Sequence, residues 1–293
     1  WAAAAADAGM KYFVITTKHH EGFCLWDSKF TNYKATNTAA KRDLIKPMVQ
    51  AFREKDIRVG FYYSLLDWHH PHFTIASMHA LRNHPDREKL NKSRDIKKYT
   101  KYLHDQTREL LTRYGKVDVM WFDFSYPKRK DNPNWVGKGR EDWQSEKLVR
   151  MIRKLQPDII LDDRLDVPDF PGSWDIKTPE QFQPREWVRF NGEPVVWEAC
   201  QTMSGSWGYH RDEASWRSPD QLVRTLIDVV SKGGNLLLNV GPTGRGEFDD
   251  RALSCLAGIG QWMKRHSRSI YGCTQAPEEF KAPSDSRLTY NPK

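Results

Sequence analysis

Val117-Asp118-Val119-Met120-Trp121-Phe122-Asp123 is an apolar run that ends on a carboxylate. Side chains alternate along a strand, so Val119, Trp121 and Asp123 would share one face. The intervening residues are also largely apolar, as in a strand buried on both sides. Five more runs read the same way: Tyr12–Thr17, Val59–Ser64, Ile159–Arg164, Pro194–Glu198 and Asn235–Val240. Helical patterns separate them. Asp43 is placed to cap a helix carrying Leu44, Met48 and Phe52, and others are expected over Tyr99–Tyr114, Trp143–Leu155, Pro219–Ser231 and Ala252–Lys264. Strands alternating with helices indicate an α/β protein with a parallel sheet.

A doubly wound sheet and a (β/α)₈ barrel both fit that alternation. Polar and titratable residues close strand after strand, as at the catalytic face of a barrel. No phosphate-cradling glycine fingerprint follows the early strands. Gly241-Pro242-Thr243-Gly244-Arg245-Gly246 has neither dinucleotide nor Walker spacing and reads as a turn. The expectation is therefore a (β/α)₈-like TIM barrel over residues 1–275. Six strands are countable, so the first strand or strands are expected to be missing, and the start at Trp1 reads as a truncation. The Pro- and Ser-rich tail 276–293 reads as a linker or the start of a C-terminal β-domain.

Composition narrows the function classes. The 46 basic and 38 acidic residues give a net charge of +8. Most basic residues alternate with acids, as in Arg53-Glu54-Lys55-Asp56, which describes solvated helix faces rather than a nucleic-acid footprint. The sharper run Lys128-Arg129-Lys130 falls in a loop. No stretch of 18 apolar residues is present to span a membrane. Cys24, Cys200, Cys255 and Cys273 lie far apart, with neither a zinc nor a disulfide signature. Trp, Tyr and Phe number 12, 11 and 13, an abundance that suits packing against sugar C–H faces as well as a large core.

The strand ends supply the candidate chemistry. Asp123 beside Trp121 suits a nucleophile set against an apolar sugar face, or a cap on the following loop. His19 and His20, in Lys18-His19-His20-Glu21, could bind metal or hydrogen-bond hydroxyls. Neighbours on a strand point to opposite faces, which makes two ligands of one ion awkward, and no HExxH is present. Tyr62 could offer a phenol to a sugar oxygen, while one of Tyr62 and Tyr63 must face the helices. Arg164 could pair with a carboxylate in the site or merely bridge to Asp162 or Asp163. Glu180 sits in the loop Trp174-Asp175-Ile176-Lys177-Thr178-Pro179-Glu180, and Glu198 rivals it as a second acid. Two carboxylates suffice to cleave a glycoside, one attacking the anomeric carbon and one protonating the leaving oxygen.

These segments together resemble glycoside hydrolase family 29, the α-L-fucosidases. The resemblance rests on AGMKYFVITTKHHEGFCLWDS, VGFYYSLLDW, DVMWFD, DDR followed by WDIKTPE, SWGY, and LVRTLIDVVSKGGNLLLNVGPTGRGEF, in the family's order. It implies Asp123 as nucleophile and Glu180 as general acid/base, with His19, His20, Tyr62, Trp121 and Arg164 lining a fucose pocket. It further implies a retaining mechanism on fucosylated glycans, no metal or organic cofactor, and a secreted, periplasmic or lysosome-like setting. The family's earlier strands, with another pocket His and a Glu-Trp pair, have no counterpart here. Two other readings remain open from sequence: a non-catalytic glycan-binding barrel, and a metal-dependent hydrolase using His19 or His20.

Overall fold

The computed structural model describes residues 1–293. The chain forms two compact units, one of residues 12–175 and one of residues 1–11 with 176–293. After helix α1 (Ala2–Asp7), the first unit runs β1 (Tyr12–Lys18), α2 (Ile45–Arg53), β2 (Arg58–Ser64), α3 (Arg87–Asn91), α4 (Ile96–Arg113), β3 (Val119–Asp123), α5 (Arg140–Trp143), α6 (Ser145–Leu155) and β4 (Ile160–Leu161). Its four strands make one parallel sheet in the order β1-β2-β3-β4. Every residue of β3 is buried, as its unbroken apolar run requires.

Local chemistry sets the boundaries. Asp43 caps α2, its carboxylate accepting from the amides of Ile45 and Lys46 at 2.9 and 3.0 Å. The face buried is Ile45, Val49 and Phe52, with Phe52 stacked 3.7 Å from Phe13 of β1. Helix α4 begins three residues earlier than its apolar period suggests, because Asp95 accepts from the Lys97 amide. The single helix expected over Trp143–Leu155 is instead two, divided where Gln144 turns left-handed at φ 47°. The break leaves Trp143 fully buried, its ring facing Phe73 and Tyr99. Strand β4 is shorter than expected. After Leu161 the ladder ends, and Asp175 takes both backbone positions of that residue: its amide donates to the Leu161 carbonyl and its carboxylate accepts from the Leu161 amide.

The second unit adds β5 (Arg189–Phe190), β6 (Glu193–Pro194), β7 (Trp197–Thr202), α7 (Pro219–Val230), β8 (Gly234–Asn239), α8 (Asp250–His266), β9 (Thr274–Gln275) and β10 (Thr289–Tyr290). Strands β7 and β8 are parallel, joined through α7, which opens on a Ser218–Gln221 capping box followed by Pro219. The strand expected over Pro194–Glu198 is displaced to 197–202. Pro194 belongs to a hairpin turned by Asn191 and Gly192, both left-handed, as a two-residue type I′ turn demands. Helix α8 packs on α7 and α1 around Leu222, Ala252, Leu256 and Ile259. Gly260 lets the backbone of Asp7 approach, since a Cβ there would lie 2.4 Å from the Asp7 carbonyl. The tail is not wholly irregular: β10 pairs antiparallel with β9.

All six expected parallel strands are therefore present, in a sheet of four and a sheet of two. Gly60 is closely enclosed in the larger sheet, where a Cβ would meet Val119 Cβ at 2.8 Å and Val14 Cγ2 at 3.1 Å. The variant Gly60→Ala is expected to lose about 1–3 kcal/mol through overpacking. Urea unfolding followed by tryptophan fluorescence checks this, and an unchanged midpoint would contradict it.

Candidate active site

Parallel strands bring their carboxyl ends to one edge of the sheet, and the candidate residues of the first unit gather there. Register pairs Tyr62 with Trp121 and Ser64 with Asp123. The Tyr62 hydroxyl donates to Asp123 Oδ2 at 2.7 Å, and Arg164 Nη1 donates to Asp123 Oδ1 at 2.8 Å. Arg164 does not merely serve its neighbours Asp162 and Asp163. Its guanidinium also lies 4.3 Å from the centroid of the Trp121 ring. The Tyr62 ring stacks 5.7 Å from that of Trp121 and 5.4 Å from that of His19. A carboxylate has about four lone-pair positions, and these two donors, one on each oxygen, orient Asp123. Tyr63, the alternate residue, is fully buried and donates to Gln106 of α4.

The histidines depart from expectation. A register shift between Thr16 and Lys18 precedes the end of β1, so His19 and His20 follow the strand rather than lie on it. Their rings come within 3.9 Å instead of pointing to opposite faces. His20 Nδ1 is 2.6 Å from Ser64 Oγ, and its ring meets the edges of Trp68 and Phe124. Burial, with smaller contributions from His19 and Lys18, pulls the His20 imidazole down to about 3. Burial also lowers His19, against an opposing pull from Glu21 and Asp123. Both rings are neutral at neutral pH, each with one donor and one acceptor nitrogen.

Three residues in this region carry no signal that local patterns reveal. Ser64 holds His20. Phe124, directly after Asp123, has φ 78°, a left-handed conformation that a bulky side chain adopts at a cost. Asp162 is wholly buried with neither carboxyl oxygen in a well-formed hydrogen bond. Burial pushes its carboxyl well above the usual carboxylate range, Arg164 opposing.

Glu180 belongs to the second unit. The segment expected as a plain loop runs parallel to β7: Lys177 and Glu180 bridge to Trp197 and Cys200. The Cys200 amide donates to the Pro179 carbonyl, and the Gln181 amide to the Cys200 carbonyl, both at 3.0 Å. Glu180 is exposed, and Gln181 after it is left-handed at φ 59°. Glu198, the rival acid, is buried in β7. No three His, Cys, Asp or Glu side chains gather as a metal-binding group, and no helix is long and apolar enough to cross a membrane.

Residues 1–268 match the family described as Alpha-L-fucosidase. The human plasma alpha-L-fucosidase is 30% identical over 283 residues, covering 92% of this chain and 54% of the relative. Among solved structures, alpha-L-fucosidase isoenzyme 1 from Paenibacillus thiaminolyticus is 44% identical with a TM-score of 0.91, covering 99% of this chain and 68% of that one. A family 29 alpha-L-fucosidase from Bacteroides thetaiotaomicron, determined as a trapped covalent intermediate with 2-fluoro-fucosyl fluoride, is 29% identical with a TM-score of 0.83, covering 100% of this chain and 65% of that one. The chain is an α/β protein with parallel sheets, and it belongs to the alpha-L-fucosidase family. It spans about half the length of the curated relatives it matches.

The neutral histidine has a consequence for acid stability. Its folded pKa of about 3 lies below the unfolded value of 6.5. The unfolded chain therefore binds more protons between those values, and stability is complete above pH 6.5 and falls as pH drops toward 3. Replacing His20 by Gln is expected to flatten that decline, as measured by denaturant unfolding at pH 7, 5.5 and 4. Parallel declines in the two proteins would remove the assignment.

Proposed function

We propose that this chain carries the catalytic machinery of a retaining exo-α-L-fucosidase, with Asp123 as nucleophile and Glu180 as general acid/base. The observation that carries the reading is the double grip of Tyr62 and Arg164 on Asp123, at the end of a buried strand in a chain of this family. The proposal extends to the fold: residues 1–275 make a (β/α)₈-like barrel domain, and 276–293 form an appendage to it. Substrates are terminal α-L-fucosides on glycans, in a secreted, periplasmic or lysosome-like compartment. Plasma and tissue alpha-L-fucosidases among the relatives support that setting. No metal or organic cofactor takes part.

In the first step an Asp123 oxygen bonds to the anomeric carbon as the glycosidic C–O bond breaks. Glu180 delivers its proton to the departing oxygen. In the second, water attacks the same carbon, its proton passes to Glu180, and the bond to Asp123 is released as carboxylate. Neutral His19 and His20 and the Tyr62 phenol meet sugar hydroxyls, and the Trp121 indole meets an apolar sugar face.

An aryl α-L-fucoside tests the roles. Asp123→Ala is expected to show no turnover, and a 2-fluoro-fucosyl reagent to label the peptide containing Asp123. Glu180→Ala is expected to slow turnover by about 10²–10⁴-fold. Azide should then restore the rate and release a fucosyl azide of retained configuration. Turnover surviving in Asp123→Ala, or an inverted azide from Glu180→Ala, would reverse the assignments.

A further inference from the structure

Lys18 closes β1, next to the histidines, and its ammonium is shut away from solvent. Nζ donates to Asp67 Oδ2 and to the Leu66 carbonyl, both at 3.2 Å, and lies 4.5 Å from the centroid of the Tyr63 ring. Asp67 is equally buried. Its other oxygen, Oδ1, accepts from the amides of His69 and His70 at 3.1 and 2.8 Å.

The same carboxylate reaches the turn that carries His19 and His20. Gly22, left-handed at φ 86°, passes so near that a Cβ would lie 2.3 Å from Asp67 Oδ1. The Gly22 amide donates to the His19 carbonyl, and the Trp68 amide to the His20 carbonyl at 2.8 Å. The Leu66 carbonyl that receives Lys18 also accepts from Ser64 Oγ, the atom beside His20 Nδ1. The ion pair thus ties the loop after β1 to the loop after β2 on both sides of the imidazoles.

A buried ion pair contributes little net stability compared with apolar residues of the same shape, so its value lies in fixing geometry. We propose that the Lys18–Asp67 pair is a positioning device for His19 and His20, setting where the two imidazoles stand beside Tyr62 and Asp123. Neither charged group touches substrate; both act through the histidines. The inference rests on the reading of those histidines as partners of fucose hydroxyls.

The test uses the whole chain. The double variant K18M/D67N removes both charges together and so leaves no lone buried ion. Calorimetric titration with L-fucose and steady-state rates on an aryl α-L-fucoside are expected to show affinity weakened and KM raised about tenfold, with kcat held within about threefold. In a His19→Ala/His20→Ala background the same double change should cost less than about twofold, because its effect passes through those two rings. Equal losses in both backgrounds, or none in the first, overturn the proposal.

Asp67→Asn, which keeps an acceptor for the His69 and His70 amides, is the second variant. It is read without sugar by ¹⁵N NMR of the imidazoles. The His20 ring resonances should move while those of exposed His266 stay, and unmoved His20 resonances overturn the proposal. If the unaltered chain neither binds nor cleaves fucosides, the functional reading fails, and the sugar-free spectra still decide the positioning role.

Discussion

The parallel register between β2 and β3 is the constraint on which the site depends. Tyr62 lies beside Trp121, and Ser64 beside Asp123, because Gly60 pairs with Val119 and the ladder then runs without interruption. A slip of one residue would exchange the two faces of a strand. With β2 slipped, Tyr63 would stand where Tyr62 is, and the phenol that grips the carboxylate would point into α4. The absence of a side chain at Gly60 is part of this control, since the sheet has no room there for a Cβ.

Costs that the core would otherwise avoid collect around the two candidate acids. Asp123 and Glu180 each precede a residue with left-handed φ, Phe124 and Gln181, neither of them glycine. Each acid therefore ends a run of extended chain and stands where the backbone turns sharply away. At Phe124 the ring is fixed by edge contacts with His20 and Tyr126. At Gln181 the amide is tied to the Cys200 carbonyl. Asp162 adds a third cost, a buried carboxyl without a proper partner, two residues before Arg164. Burial raises its carboxyl pKa, opposed by the charge of Arg164, whose hydrogen bond goes to Asp123.

Much of the α/β pattern was legible because strands buried on both faces leave unbroken apolar runs, and β1, β2, β3 and β8 lie within a residue or two of theirs. The misplacements have local causes. The Asn191-Gly192 turn took Pro194 out of the strand expected around it, and Gln144 split a helix whose apolar period was continuous. Strand β4 shrank because Asp175, fourteen residues on, completes the hydrogen bonds of Leu161. At the site, Asp123, Tyr62, Trp121 and Arg164 could be named from strand alternation and strand ends. The closeness of His19 to His20 could not, because a register shift leaves no mark in composition. Ser64, Lys18 and Asp67 were hidden for a related reason: each acts through contacts far away in sequence.

Charge is distributed here by pairing cations away from the imidazoles. Lys18 immediately precedes His19, and a free ammonium at that point would compete for the same acceptors. Asp67 instead holds it in the interior, between the rings of Tyr63 and Tyr99. Arg164 is held on Asp123 and over Trp121. With both cations engaged and burial opposing protonation, His19 and His20 remain uncharged. An uncharged imidazole offers one donor and one acceptor, as a sugar hydroxyl does, whereas an imidazolium would offer donors alone and would draw Asp123 toward itself. The sequence Lys-His-His thus places three basic side chains in a row and folds so that the first is drawn away to Asp67 while burial lowers the imidazoles that follow.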